Sequence, residues 1–414
     1  MSLENKTAAN EIGSRSSTRV NLALATLFLG TFVLGCAEML VVGMLDLIAA
    51  DLRVSIAAAG ALLTAQALGM AVGGPILTAL TIKLDKRTVL VSALGVSLVA
   101  NLVLVLTADY GLSIAARGLA GAAQGLFMAA GFAVGISLVP VERTGRAMSV
   151  VISGFAVSSA VGVPLGTLVG QLLGWRGSFT AVVVLAGIAL AATLGVIPSV
   201  RSTGGGVGKQ VRHAFAPRVH AVLGLSFLAF AGLAAFFTYV VPFLQSVTGI
   251  SGAMVSVFLM AYGVATAVGT FGGGRFADAN AARTLIVGTS GVAVSLAALY
   301  LLGGIAFLAA LALFAVGLFG MGMAPSLQYR VVELAGPGGQ LAQSLPASAA
   351  NLGIAFGSVA GGLAIGSSTA SAAAVTGLII AVISIGAALA TNFLNPPVAE
   401  PASLAVEQTV GEAA

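Results

Sequence analysis

Twelve apolar stretches of at least 20 residues follow one another along the chain: 21–45, 56–80, 88–107, 111–138, 147–172, 179–198, 219–247, 252–274, 284–303, 305–329, 341–365 and 372–394. A 20-residue helix is about 30 Å long, the thickness of a bilayer's hydrocarbon core. Inside lipid each span must satisfy its own backbone hydrogen bonds, which selects helices. Composition agrees: 58% of the 414 residues are hydrophobic and 7% charged, where a soluble domain carries about 25% charged residues. The expected fold is an all-α integral membrane protein with 12 transmembrane helices in two pseudo-symmetric six-helix halves. A tail at 1–20 precedes the half at 21–198, a linker at 199–218 leads to the half at 219–394, and a tail at 395–414 follows.

The net charge of +5 does not point to nucleic acid, because the basic residues punctuate the spaces between apolar runs. With both termini cytoplasmic, 15 of the 18 Lys and Arg fall on the cytoplasmic side; Arg53 and Arg176 fall outside, and Arg117 lies within a span. The positive-inside rule therefore gives the orientation. Two decoys drop out. VLGC (33–36) resembles a lipoprotein cleavage box, but its apolar run continues past Cys36 and eleven spans follow. TGGGVGKQ (203–210) resembles a phosphate loop, but Thr203 stands where Gly is required and Gln210 where Ser or Thr is required. It reads as a flexible linker. Without a phosphate loop the energy is expected from an ion gradient or the substrate gradient, unless a separate ATPase subunit exists, and no cofactor or metal cluster is expected. His213 and His220 read as surface residues, and Cys36, the single cysteine, has no disulfide partner within the chain.

The halves echo each other. RTVLVSALGVSL (87–98) answers RTLIVGTSGVAVSL (283–296), and Ala61, Ala65, Gly69 and Gly73 answer Ala261, Ala265, Gly269 and Gly273. The fifth run carries Gly154, Ser158, Gly162, Gly166 and Gly170, and the eleventh carries Ala349, Gly353, Gly357 and Gly361. Residues four apart share a helix face, so these are seams of small residues. They serve either generic close packing or, as expected from four seams at matching places, surfaces where two repeats meet and rock.

These stretches resemble the major facilitator superfamily, in its twelve-helix drug:proton antiporter branch, near the bacterial chloramphenicol-resistance and arabinose-efflux exporters. The likeness covers about 20–395. It rests on GCAEMLVVGMLDLIAADLRVS (35–55), ARGLAGAAQGLF (116–127), VPVERTGRAMSVV (139–151) and SSAVGVPLGTLVGQLLGWRGSF (158–179). The GVPLG element, with Pro164, matches the family's antiporter motif, which implies export. The family's cytoplasmic loop motif is altered in its first copy, where Lys83, Lys86 and Arg87 remain, Ile82 replaces the Asp, and Asp85 takes the place of a Gly. The second copy keeps Gly274, Asp278 and Arg283.

An ionised side chain in mid-membrane costs roughly 2.5–3.5 kcal/mol or more. Glu38 and Arg117 are the two charges well inside the spans, about 10 Å and about 9 Å from the outer ends of their helices. Both are expected to face a central polar cavity and to interact directly or through water. Burial and a neighbouring guanidinium pull a carboxyl's proton affinity in opposite directions, so a moving substrate would let Glu38 take or release a proton. A static pair tethering spans 1 and 4 is the other reading. The resemblance implies the coupling role for both residues, with Asp46 as a second acceptor or a solvated end. Gln124, Phe127, Phe236, Phe237, Tyr239, Tyr262 and Asn351 are candidate cavity walls for an amphipathic solute, or else packing. The expected function is a monomeric, proton-coupled exporter of small amphipathic compounds, such as a chloramphenicol-like antibiotic, in a bacterial cytoplasmic membrane. A sugar or metabolite carrier, either exporter or importer, and a non-transporting sensor or scaffold are the alternatives. No enzyme constellation is present.

Overall fold

The structure is a computed structural model describing residues 3–81, 83–140, 144–200, 216–335, 342 and 345–395. Most of the expected linker and most of the C-terminal tail lie outside the described residues. Among the described residues, eleven helices are long and apolar enough to cross a membrane. Spans 1 to 4 are Thr18–Gly43, Ile56–Leu80, Lys86–Leu106 and Tyr110–Ser137. Spans 7 to 12 are Pro217–Ser246, Ala253–Ala277, Ala279–Leu302, Ala306–Ala335, Leu345–Ser367 and Ser371–Asn392. The remaining helix, Ala147–Val196, is 50 residues long and is two spans in one. At Gly174 the backbone turns to φ 76°, ψ 161°, a left-handed corner that glycine adopts without a Cβ clash. The Ser178 hydroxyl donates to the Gly166 carbonyl at 2.6 Å, although twelve residues of straight helix would separate them by about 18 Å. The chain therefore doubles back, giving spans 5 (147–173) and 6 (175–196) and twelve crossings in all.

One face of the bundle carries the turns at 83–85 and 280; it is called the basic face below. The opposite face carries the turns at 107–109, 174 and 247–252. Two apolar cores lie between them. One is built almost wholly from residues 23–197, the other almost wholly from 219–388. Each half thus folds around its own interior.

Spans 2 and 5 each contain a π-helical turn, at Gly69–Gly73 and Ser158–Gly162. Each turn is followed within two residues by Pro75 or Pro164. A proline has no N–H and its ring strikes the carbonyl four residues back, here Ala71 or Ala160. Widening the helix by one residue relieves that clash.

The small-residue seams correct the sequence expectation. A Cβ on Gly154, Gly162, Gly166 or Gly170 would meet Thr31 and Phe28, Cys36, Leu40 and Met44 respectively, all on span 1 or its end. Ser158 is fully buried beneath Gly35. The stripe on span 5 therefore packs on span 1 of its own half. Gly353, Gly357 and Gly361 pack likewise on the backbone of span 7, while Gly69 faces span 4 and Gly269 faces span 10. The seams join the first three spans of each half to its last three. The physical reason is the face they occupy: the side of span 5 toward the other half carries Ser159 and Ala160, against which Gly263 of span 8 is set.

Candidate functional site

Arg117 and Gln124 lie seven residues apart on span 4, two turns along one face, and both reach span 1. The Arg117 guanidinium donates to the carbonyls of Ala37 at 2.9 Å and Glu38 at 3.4 Å. Its Cζ lies 5.9 Å from the ring centre of Phe179 on span 6. The Glu38 carboxylate takes its hydrogen bond from the Gln124 amide instead, at 2.6 Å. Gln124 in turn accepts from the Gln66 amide of span 2 at 2.7 Å. Exposure is 3% at Glu38, 1% at Arg117, 2% at Gln124 and 1% at Gln66.

Spans 1, 2 and 4 thus converge on one buried carboxylate. Glu38 and Arg117 meet at one level, but not as an ion pair, and both are buried in this conformation. Among the described residues the ion pairs are Arg176–Asp51 and Arg330–Glu333. The expected central-cavity placement is corrected accordingly: both groups are enclosed within the N-terminal bundle, because the long arginine side chain folds back onto span 1's backbone.

Asp46 stands apart from this cluster. It lies on a short helix, Leu45–Asp51, past the end of span 1. There it accepts from Gln245 of the other half at 2.8 Å. The expected wall residues divide. Phe127 is fully buried against Gly30, and Phe236 is fully buried edge-on to Phe243 at 5.3 Å. Tyr239 is buried and donates to the Ser358 carbonyl at 2.7 Å. Asn351 is buried, with its amide bonded back to Ala347 at 2.9 Å. These four are packing residues here. Phe237 and Tyr262 are half-buried and stacked at 4.1 Å.

The loop motif has a structural use. Asp85 caps span 3, accepting from the amides of Arg87 at 3.1 Å and Thr88 at 3.2 Å, and from the Ser199 hydroxyl. The Ser199 hydrogen bond, helped by those amides, holds the Asp85 carboxyl below its usual range. Arg87 donates to the Leu194 carbonyl at the end of span 6, and Lys83 is exposed. In the second copy Asn280 takes the capping role, accepting from the Arg283 amide at 2.9 Å. Arg283 lines one end of a groove of about 610 Å³ among spans 8, 9 and 10, away from Glu38. Gly274 is half-buried, and the Asp278 side chain lies outside the described residues.

Several bonded polar contacts escaped the sequence reading. Gln66 is one; an amide within an apolar run was its signal. Another is the cluster on the opposite face, where Arg176 pairs with Asp51, lies 4.4 Å from the Trp175 ring centre and donates to Val105 at 3.0 Å and Thr107 at 2.9 Å. Arg330, expected in a loop, is instead buried in the last turns of span 10 and bonds the carbonyls of Thr391 and Leu394 at 2.9 Å.

The chain is similar to known proteins in sequence and in fold. The chloramphenicol resistance protein of Streptomyces lividans is 30% identical over 368 residues, covering 87% of this chain and 94% of that one. An uncharacterized MFS-type transporter of Bacillus subtilis, YtbD, is 30% identical over 355 residues, covering 84% and 90%. Among solved structures, a variant of the nucleoside transporter NupG matches with a TM-score of 0.74 at 13% identity, covering 90% of this chain and 99% of that one. A bacterial homologue of the lysosomal transporter Spinster matches at 0.68 and 15%, covering 91% and 95%. The signature of the Major Facilitator Superfamily matches residues 27–341. A multi-pass chain of two six-helix halves, matched by that signature over most of its length, belongs to the Major Facilitator Superfamily of transporters.

Proposed function

We propose that the protein is a proton-coupled antiporter that exports small amphipathic compounds by alternating access, in a bacterial cytoplasmic membrane with both termini inside. The observation that carries this reading is the bonding of Glu38. A carboxylate locked to a guanidinium would be held ionised. Glu38 is bonded to an amide, which offers either a donor or an acceptor, so the carboxyl keeps a partner whether charged or neutral. Arg117 meanwhile spends its hydrogen bonds on the backbone at that turn rather than on the carboxylate. The relative named for chloramphenicol resistance supports a drug-like substrate, and the half-buried Phe237–Tyr262 stack suits an aromatic or apolar solute. The basic face supports an inward orientation through the positive-inside rule, and the proton gradient supplies the energy without a cofactor.

Everted vesicles test the coupling. Wild-type protein releases protons from the lumen when substrate is added, whereas Glu38→Gln, which keeps shape but cannot ionise, does not. Undiminished coupled transport by that variant would sink the assignment. A susceptibility panel in a pump-deficient host identifies the substrate class.

A further inference from the structure

Three side chains in series run from span 1 to span 2 through span 4: Glu38, Gln124 and Gln66. The two contacts are 2.6 and 2.7 Å long, and the Gln66 carbonyl oxygen at the far end is buried without a partner. The direction of the chain is not arbitrary. An ionised carboxylate only accepts, so Gln124 must turn its N–H toward Glu38 and its carbonyl toward the Gln66 amide. The free end of Gln66 is then an acceptor. A protonated Glu38 brings a buried O–H that needs an acceptor. A flipped Gln124 supplies one, and its N–H then faces Gln66, whose amide must flip to meet it. The free end of Gln66 becomes a donor.

We propose that Gln124 and Gln66 form a two-amide relay that converts the protonation state of Glu38 into a reversal of hydrogen-bond polarity on span 2. This inference rests on the proton-binding role of Glu38 proposed above and makes Gln66 a positioning residue acting through Gln124. Span 2 is the right place for such a signal. Six residues from Gln66, the Gly60 carbonyl accepts from Ser358 of span 11 at 3.2 Å, so the relay ends on a span that touches the other half. The ionisable groups around Glu38 are accounted for. Arg117 is engaged with the carbonyls of residues 37 and 38. Cys36 on the same span is set against Gly162 of span 5. Tyr110 donates to Ala58 and Tyr239 to Ser358, both at 2.7 Å. Asp46 and Asp51 are held at the opposite face by Gln245 and Arg176.

The test is infrared difference spectroscopy between low and high pH on the full chain in lipid nanodiscs, with glutamine carrying ¹³C at its side-chain carbonyl. The wild-type measurement does not depend on any variant folding. The expected result is a carboxyl band, absent in Glu38→Gln, that titrates together with labelled glutamine bands. Gln66→Met, similar in shape but without a strong donor or acceptor, removes part of the glutamine change. It also displaces the pH profile of transport by about one unit, the equivalent of one hydrogen bond. Glutamine bands that stay fixed while the Glu38 band titrates, or a Gln66→Met variant that alters neither readout, overturn the relay and leave the Glu38 assignment standing. No titrating band assignable to Glu38 overturns both.

Discussion

That Glu38 and Arg117 lie at one level was readable from their place in apolar runs and their matching depth. Depth along a helix follows from residue count, but the direction of a side chain depends on what the neighbouring helix offers. Span 1 offered Arg117 two carbonyls, and span 4 offered Glu38 an amide. Gln66 carried no charge to draw attention, although amides in lipid need partners for the same reason. Arg117→Lys replaces a planar fork by a point donor and gives up one of the two carbonyls. A hydrogen bond from a charged group contributes about 1.5–3 kcal/mol, so transport is expected to fall roughly tenfold or more with the protein still inserted, as measured by uptake into vesicles at matched expression. Asp85 makes a separate prediction outside the membrane. Its carboxyl is held below the usual range by Ser199 and two span 3 amides, so its contribution to stability is present above the unfolded-state value and is lost as pH falls through the lower, folded one. Asp85→Ala should cost about 1 kcal/mol, as loss of a helix cap does, whereas Asp85→Asn keeps a cap and loses only the acid dependence. Thermal melts of the two variants between neutral and acid pH separate these outcomes.

At the scale of elements, a repeat of four residues identifies a face but not the helix opposite. That is why the stripes at 154–170 and 353–361 were legible while their partners were not. The structure sets them on spans 1 and 7 within each half, and the difference between neighbouring glycines is measurable. A Cβ on Gly154 would meet backbone, the Phe28 carbonyl and, at 2.9 Å, the Phe32 amide nitrogen. Backbone cannot step aside, so Gly154→Ala should destabilise the protein by roughly 1–3 kcal/mol, as overpacking does. A Cβ on Gly166 would meet the methyl end of Leu40, which can rotate. Replacing glycine by alanine in a helix also gains about 1 kcal/mol, so Gly166→Ala should be close to neutral. Equal melting temperatures for the two variants in detergent would contradict the backbone-contact argument. A second pattern concerns the arginines, which were read only as a sign of orientation. Arg87, Arg176, Arg218 and Arg330 each donate to carbonyls at or near the end of a span or of its short extension. The last carbonyls of a helix lack partners and carry partial negative charge. Arginines on both faces of the bundle therefore close its helices.

For the whole molecule, the half-repeat and the twelve crossings were legible because apolar length and internal echoes survive without tertiary knowledge. The corner at Gly174 was legible too, since GWRGS interrupts an apolar run. What the sequence does not hold is the state of a moving machine, and the contacts between halves supply it. Asp46 meets Gln245, the Gln171 amide donates to the Gly252 carbonyl at 2.8 Å, and Ser358 meets Gly60. All three lie toward the face opposite the basic loops. If that face is external, a cysteine placed at 109–111 in a Cys36→Ala background should react with an impermeant thiol reagent on whole cells. One placed in 201–215 should react only after permeabilisation, and the reverse pattern would invert the orientation. The alternating access proposed above further requires the contacts at this face to part during each cycle. Asp46 and Gln245 meet through their side-chain ends at 2.8 Å, so a short bifunctional thiol reagent is chosen to span the shorter cysteine side chains. With Asp46→Cys and Gln245→Cys combined in the Cys36→Ala background, cross-linking should stop transport, and a reducible linker should restore it on cleavage. Either single cysteine treated with the same reagent should remain active, which separates locking from simple modification. Transport that continues in fully cross-linked protein would show that these two halves need not separate at this face, and the contacts at Asp46 would then be a fixed hinge.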